Sequence, residues 1–259
     1  DEQLSSLKVA ILPLQDGEFY HYGTSREMIS STMAIQNLVY DQRAIMHLGV
    51  KAHPSIFTQN SIHNIAFTPS NRNTWIENSW IPSTWTLTHD NIITGVPKNE
   101  WTIHLSPGIC VDIVPLGEDR WVLRPYGFND AMRGCLSDSA TQYLGKPVSE
   151  WLSRRGISPD EIEGANDLQN SRIFPVCTSV EEMGRLLQWM IADTPDDMTQ
   201  QWRTLERLSA NEIGDRANLR RLHRQRLDYR KANLTALANN HRCSIFYQTN
   251  LDDLAHEFS

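Results

Sequence analysis

The chain has 259 residues, 40% of them hydrophobic, and a formal net charge of −7. That length supplies one large domain or two small ones, and the negative charge argues against nucleic acid as the main partner. No stretch approaches the roughly 20 apolar residues that span a bilayer, so no membrane partner is expected. The acidic start does not read as a signal peptide, and the abrupt passage from Asp1 into an apolar run reads as the edge of an excised piece. Cys110, Cys135, Cys177 and Cys243 lie far apart with no C-x-x-C pair. They fit free thiols in a reducing cytoplasm better than a disulfide framework or a zinc site.

Residues 7–14 (LKVAILPL) read as a buried strand closed by the turn Gln15-Asp16-Gly17. Residues 19–22 form a short aromatic strand, and Gly23 permits a sharp turn. Thr24-Ser25-Arg26-Glu27 is a T-x-x-E capping box that predicts a helix through Ile35. A strand, a glycine turn and a helix N-terminus in that order can present free N–H groups to an anion such as a phosphate. The plainer alternative is a connection that ends a domain.

From Leu38 the bulky positions recur every six residues: Leu38, Ala44, Val50, Ile56 and Ile62, then, after a polar loop at 67–73, Trp75, Ile81, Leu87 and Ile93. Six is the period of neither a helix nor an ordinary strand. It predicts a short strand, a corner and another short strand, with 18 residues closing one triangular coil of a stacked solenoid. Gln59-Asn60-Ser61 and Glu77-Asn78-Ser79 recur 18 residues apart, and Asn suits the left-handed backbone of a tight corner. About three coils are expected, with the six-residue positions pointing inward. Exposed coil faces carrying Trp80 and Trp85 are candidate contact surfaces for a homo-oligomer.

Trp101, Ile103 and Leu105 alternate as in a strand. Residues 109–116 and 121–126 flank Gly117-Glu118-Asp119-Arg120 as a β-hairpin that would cover the open end of the coil. After Asn129 the pattern turns helical. Helices are predicted around Trp151, after the Ser158-Pro159-Asp160-Glu161 box, over 179–191, over 196–208 and over 211–238, with a strand and a short helix over 243–258. The 211–238 segment is rich in arginine, which suits a solvated face or a partner surface.

Familiar catalytic signatures are missing. There is no H-x-x-H or H-E-x-x-H, no G-x-S-x-G, no Walker loop and no G-x-G-x-x-G. No metal ligand and no catalytic residue is assigned. His89 on a presumed coil is the one histidine placed as a general base in the manner of a coenzyme A-dependent acyltransferase, and a polar corner facing water is the plainer reading. Asp112 and Asp130 are acid candidates that read equally as surface or capping carboxylates.

The six-residue period resembles hexapeptide-repeat proteins, which implies a left-handed parallel β-helix. FYHYGTSREMI, SWIPSTWTLTHDNIITGV and ICVDIVPLGEDRWVLRPYGFNDAM resemble stretches of the fucose-1-phosphate guanylyltransferases. The arginine-rich tail resembles the connector of the bifunctional fucokinase/GDP-fucose pyrophosphorylases. The resemblance implies a mixed α and β chain in three parts: the last strand and helix of a nucleotidyltransferase domain (1–37), a β-helix with closing hairpin (38–130) and an α-helical connector (131–259). It implies a parent enzyme that turns L-fucose into L-fucose 1-phosphate with ATP and then into GDP-L-fucose with GTP, using Mg2+ with the nucleotides. No cofactor is expected in the fragment itself. Its expected partners are the flanking guanylyltransferase and kinase domains and L-fucose 1-phosphate or GDP-fucose, and its expected location is cytoplasmic. Tyr20, His21, Gly23, Thr24, Ser25 and Arg26 match the segment that would meet the sugar phosphate. The G-x-G-x-R-type nucleotide loop of the family and the glycine- and serine-rich loop of its kinase half have no match here, so the fragment is expected to be a scaffold with part of a sugar-phosphate site. A hexapeptide-repeat acyltransferase and a free-standing β-helix scaffold are the alternatives.

Overall fold

A computed structural model of the chain describes residues 10, 11, 13, 15–38, 55–195 and 197–239. The predicted strand at 7–14, the early six-residue positions Ala44 and Val50, and the predicted C-terminal strand and helix fall largely or wholly outside those residues. The chain runs α1 (Ser25–Leu38), β1 (Ile56–Gln59), β2 (Ile62–His63), β3 (Arg72–Glu77), β4 (Trp80–Ile81), β5 (Thr86–Leu87), β6 (His89–Thr94), β7 (His104–Leu105), β8 (Ile109–Pro115) and β9 (Trp121–Gly127). It continues through β10 (Gln142–Tyr143), β11 (Lys146–Pro147), α2 (Val148–Arg154), β12 (Phe174–Cys177), α3 (Val180–Ile191), α4 (Thr199–Thr204), β13 (Arg207–Leu208), α5 (Ala210–Arg216) and α6 (Leu219–Asn239).

The centre is a β-solenoid of about three turns. β1, β3, β6 and β8 stack in parallel along one face, and the pairs β2–β4 and β5–β7 are also parallel. Ile56 lies over Thr74, Thr74 over Asn91, and Ile93 over Val111, so a turn takes 18, 17 and 18 residues. Two columns of left-handed residues make the corners. One is Asn60, Asn78 and Gly95 (φ 47°, 50° and 72°), and the other is Asn73, Asp90 and Gly108 (φ 49°, 57° and 75°). Asn and Asp tolerate this backbone because their short side chains bond locally. At Gly95 a Cβ would run into the Ile113 carbonyl oxygen, so that corner needs glycine for space as well as for φ. The recurring serines form rungs: the Ser79 amide donates to the Ser61 hydroxyl at 3.1 Å, and the Val96 amide donates to the Ser79 hydroxyl at 3.2 Å.

Among the described residues the inward column differs from the expected one at two positions. Ile62 is half-buried and stands in register with the outward Trp80, while His63 beside it pairs with the core residue Ile81. Ile76, Ile81, Leu87 and Ile93 fill the coil, whereas Trp75 points outward. A strand alternates sides residue by residue, so Trp75 and Ile76 face opposite ways, and the six-residue count through the tryptophan was one residue out. The outward column Phe57, Trp75, Ile92 and Cys110 packs on Ile29 of α1, 2% exposed, and on Phe128. That contact seats α1 against the solenoid wall.

The hairpin forms as expected, with Ile109 opposite Gly127 and Pro115 opposite Trp121. It extends the main sheet instead of lying across the coil mouth. β12 pairs with β9, and β13 pairs with β12, which completes a seven-stranded sheet in the order β1-β3-β6-β8-β9-β12-β13. The buried core does not stop at the hairpin; one cluster runs from Ile76 to Ile213. Trp151, Trp189 and Trp202 meet there with ring centroids 5.9–6.2 Å apart. Arg155, 4% exposed, caps the end of α3 by donating to the carbonyls of Trp189, Met190 and Ala192. Burial pulls its guanidinium down to about 10.

Three helix expectations change. The Ser158 box closes only a short 3-10 turn at Pro159–Glu161. The 196–208 segment is helical only over Thr199–Thr204, because Arg207 and Leu208 are drawn into the sheet edge. The 211–238 segment divides into α5 and α6, which break at Ala217 and Asn218, where the Asn218 amide donates to the Pro115 carbonyl at 2.7 Å. α6 lies along the coil corners and is held by polar side chains spaced i, i+4, i+8. Gln225 donates to the Asn78 and Gly95 carbonyls, Tyr229 to the Val96 carbonyl and Asn233 to the Ser61 carbonyl.

Candidate functional site

The capping box places the first feature of the site. The Glu27 amide donates to the Thr24 hydroxyl at 3.2 Å, and that hydroxyl donates to the Glu27 carboxylate at 3.0 Å. The Thr24 hydrogen bond, followed by His21, whose Nδ1 is 2.8 Å away, holds the Glu27 carboxyl below its usual range. α1 therefore starts sharply at Ser25, with its N-terminal amides open on one side. Gly23 has no Cβ to collide with the His21 ring that folds over it.

Opposite this helix start stand the end of β9 and the loop that follows. Between them lies a cavity of about 720 Å3 lined by Gly23, Thr24, Ser25, Arg26, Arg124, Tyr126, Asn129 and Arg133, among others. Arg26 reaches across and donates to the Asn129 side-chain oxygen at 2.7 Å. Arg124 forms an ion pair with Asp112, its cross-strand neighbour in the hairpin, and lies 5.3 Å from the Tyr126 ring centroid. Burial, then the Asp112 charge, pushes the Tyr126 phenol up, so it stays protonated. Two carboxylates, Glu27 and Asp130, also line the cavity. Asp130 is occupied by the amides of Gly127, Leu144 and Gly145 at 2.6–3.0 Å. Three guanidinium groups and a helix N-terminus thus face a space in which one carboxylate is a backbone cap and the other a helix cap. That arrangement suits an anionic ligand.

Of the six residues expected from the sequence, Gly23, Thr24, Ser25 and Arg26 line this cavity. Tyr20 and His21 are not among its lining residues: Tyr20 bonds to Glu18, and His21 braces Glu27. Sequence reasoning missed Arg124, Tyr126, Asn129 and Arg133, which come from about 100 residues further on. The one signal for them was the run RPYGFNDAMR, whose arginines stand at either end. Of the other candidates, Asp112 is a partner of Arg124 and Asp130 a backbone cap. His89 sits at a coil corner, half-buried, with Nδ1 2.8 Å from Asp90. Trp85 is 3% exposed and belongs to the core, so it offers no contact surface, while Trp80 is half-buried under Lys98.

Among the described residues no group of three or more His, Cys, Asp or Glu side chains is placed to hold a metal ion. The arginine-rich lining likewise does not suit a divalent cation. No helix among the described residues is long and apolar enough to cross a membrane.

Comparison with known proteins gives two matches. A family model described as "Fucose pyrophosphorylase domain" matches residues 2–179. An "L-fucokinase/L-fucose-1-P guanylyltransferase" from Bacteroides fragilis is 48% identical over 260 residues, covering 100% of this chain and 27% of that protein. The chain therefore spans about a quarter of the length of this curated relative. No solved structure matches the chain.

Proposed function

The chain belongs to the fucose pyrophosphorylase domain family, and we propose that it is the middle portion of an enzyme of GDP-L-fucose salvage. The parent enzyme would phosphorylate L-fucose with ATP and join L-fucose 1-phosphate to GTP to give GDP-L-fucose. Within it this portion would be a scaffold, with its solenoid a left-handed one, between a guanylyltransferase and a kinase domain of a cytoplasmic protein. It would supply part of the sugar-phosphate site. The observation that carries this reading is the cavity between the N-terminus of α1 and the β9 loop, where Arg26, Arg124 and Arg133 meet. A phosphate bears the charge that these groups complement, and the polar rim at Thr24, Ser25 and Asn129 offers partners for sugar hydroxyls. Mg2+ would belong to the nucleotides elsewhere in the parent, and no step is assigned to it here.

Calorimetric titration of the chain with L-fucose 1-phosphate is expected to give saturable heat with one site per chain, lost on Arg26→Ala. A folded chain that gives no heat would remove the sugar-phosphate part of the reading. GDP-fucose formation from L-fucose 1-phosphate and GTP by these 259 residues alone would refute the claim that the chemistry lies in other parts of the parent.

A further inference from the structure

One residue of the cavity wall, Arg124, is held from behind by a carboxylate that does not itself line the cavity. Arg124 lies on β9 and Asp112 opposite it on β8, an in-register cross-strand pair. Asp112 is 6% exposed and belongs to a second outward column of the solenoid, in register with Thr94. The Thr94 hydroxyl donates to one Asp112 oxygen at 2.6 Å. The other oxygen accepts from Arg124 Nε at 3.0 Å and from Arg124 Nη2. Both carboxylate oxygens are thus committed, one to Thr94 of the solenoid and the other to one edge of the guanidinium. The Tyr126 ring packs beside its plane. Arg124 keeps a side-chain exposure of 32%, it lines the cavity, and its Nη1 donates to no protein atom among the described residues.

A guanidinium held along its Nε–Nη2 edge, with an aromatic ring 5.3 Å from its centre, keeps its outer edge free in a direction set by the clamp. The arrangement costs desolvation at Asp112, and a hydrophobic pair would hold the hairpin equally well. What the ion pair adds is orientation. We propose that Arg124 contacts the phosphate of the bound ligand through Nη1, and that Asp112, anchored by Thr94, is the positioning residue that aims it. This rests on the sugar-phosphate reading of the cavity. It makes the solenoid wall part of the recognition apparatus: the second outward column, Glu77, Thr94 and Asp112, ends in the group that sets the arginine.

The test is calorimetric titration of the full chain with L-fucose 1-phosphate, with thermal melts on every variant. Arg124→Gln and Arg124→Lys are both expected to weaken binding by about 10- to 100-fold, since lysine has no planar fork to clamp. Asp112→Asn is expected to weaken it about tenfold at a temperature where the melt shows the variant folded. A merely structural role would lower the melting point and leave the dissociation constant unchanged. Wild-type binding with an unchanged constant in Asp112→Asn would overturn the positioning role and leave the sugar-phosphate reading standing. Absence of wild-type binding would overturn both. Should Asp112→Asn fail to fold, Thr94→Val, which removes one anchor and keeps the ion pair, is expected to weaken binding about threefold, and no change there would overturn the proposal.

Discussion

Trp85 tests the solenoid core directly. Its ring is 3% exposed inside the coil, 6.2 Å from the Trp101 ring, and its indole N–H donates to the Asn99 side-chain oxygen at 3.3 Å. Trp85→Ala removes a large buried ring beside Trp101, at a cost of about 3–5 kcal/mol. No second penalty arises at Asn99, because its oxygen keeps the Trp101 amide at 3.0 Å and its amide keeps two carbonyls. About 4 kcal/mol is a large share of a typical stability of roughly 5–15 kcal/mol. For a chain of this size it lowers the melting point by about 8–16 °C. Trp80, half-buried beneath Lys98 with an indole N–H that meets no acceptor, serves as the control, and its replacement by alanine should cost about 1 kcal/mol. Urea denaturation followed by circular dichroism measures both. A Trp85→Ala cost below 1 kcal/mol, or one no larger than that of Trp80→Ala, would refute the assignment of Trp85 to the core.

Two further outcomes follow from the outer layers. The Arg172 hydrogen bond, with the Ser209 cap behind it, holds the Glu212 carboxyl down at about 2. A depressed folded-state pKa stabilises the fold above the ordinary glutamate range, and this contribution is lost as pH falls from about 4.5 toward 2. Both partners are partly exposed, so screening cuts it to about 1 kcal/mol. Glu212→Gln, which keeps the capping box, should therefore melt lower than wild type at pH 7 and converge with it near pH 2; a gap independent of pH would contradict this. α6 is held on the coil corners by polar contacts of Gln225, Tyr229 and Asn233. Tyr229→Phe combined with Asn233→Ala should raise amide exchange over 225–239 about tenfold while leaving that of α3 unchanged. Equal rates in both helices would mean that α6 is fixed by something else.

Much of the solenoid could be read from local pattern. The 18-residue Asn-Ser recurrence is visible because each corner needs a residue that accepts left-handed φ, and each serine rung must meet the next at one turn's distance. The six-residue count fails at Ile62 and Trp75, because size and apolarity do not report direction: an outer helix covers Trp75, and Ile62 shares the outward register of Trp80. The capping box of α1 was equally legible, being a matter of four consecutive residues. The end of the helix prediction at 207–208 was not legible, because a two-residue strand exists only where a sheet edge is offered to it.

The candidate site divides in the same way. Residues 20–26 alone indicated a strand-turn-helix start able to meet an anion, and they named four of the residues that line the cavity. Folding supplied the other wall. Arg124 and Asn129 come within reach of Arg26 across about 100 residues because Ile29 packs on the outward column of the coils while β8 and β9 extend the same sheet. Asp112 became a clamp, not an acid, through its cross-strand register with Arg124 and its place above Thr94. Short-range chemistry is written in neighbouring residues, because caps and corners are satisfied within a few positions. Which distant charges share a cavity depends on sheet register and helix seating, and these are set by the burial of Ile29, Phe57 and Trp75.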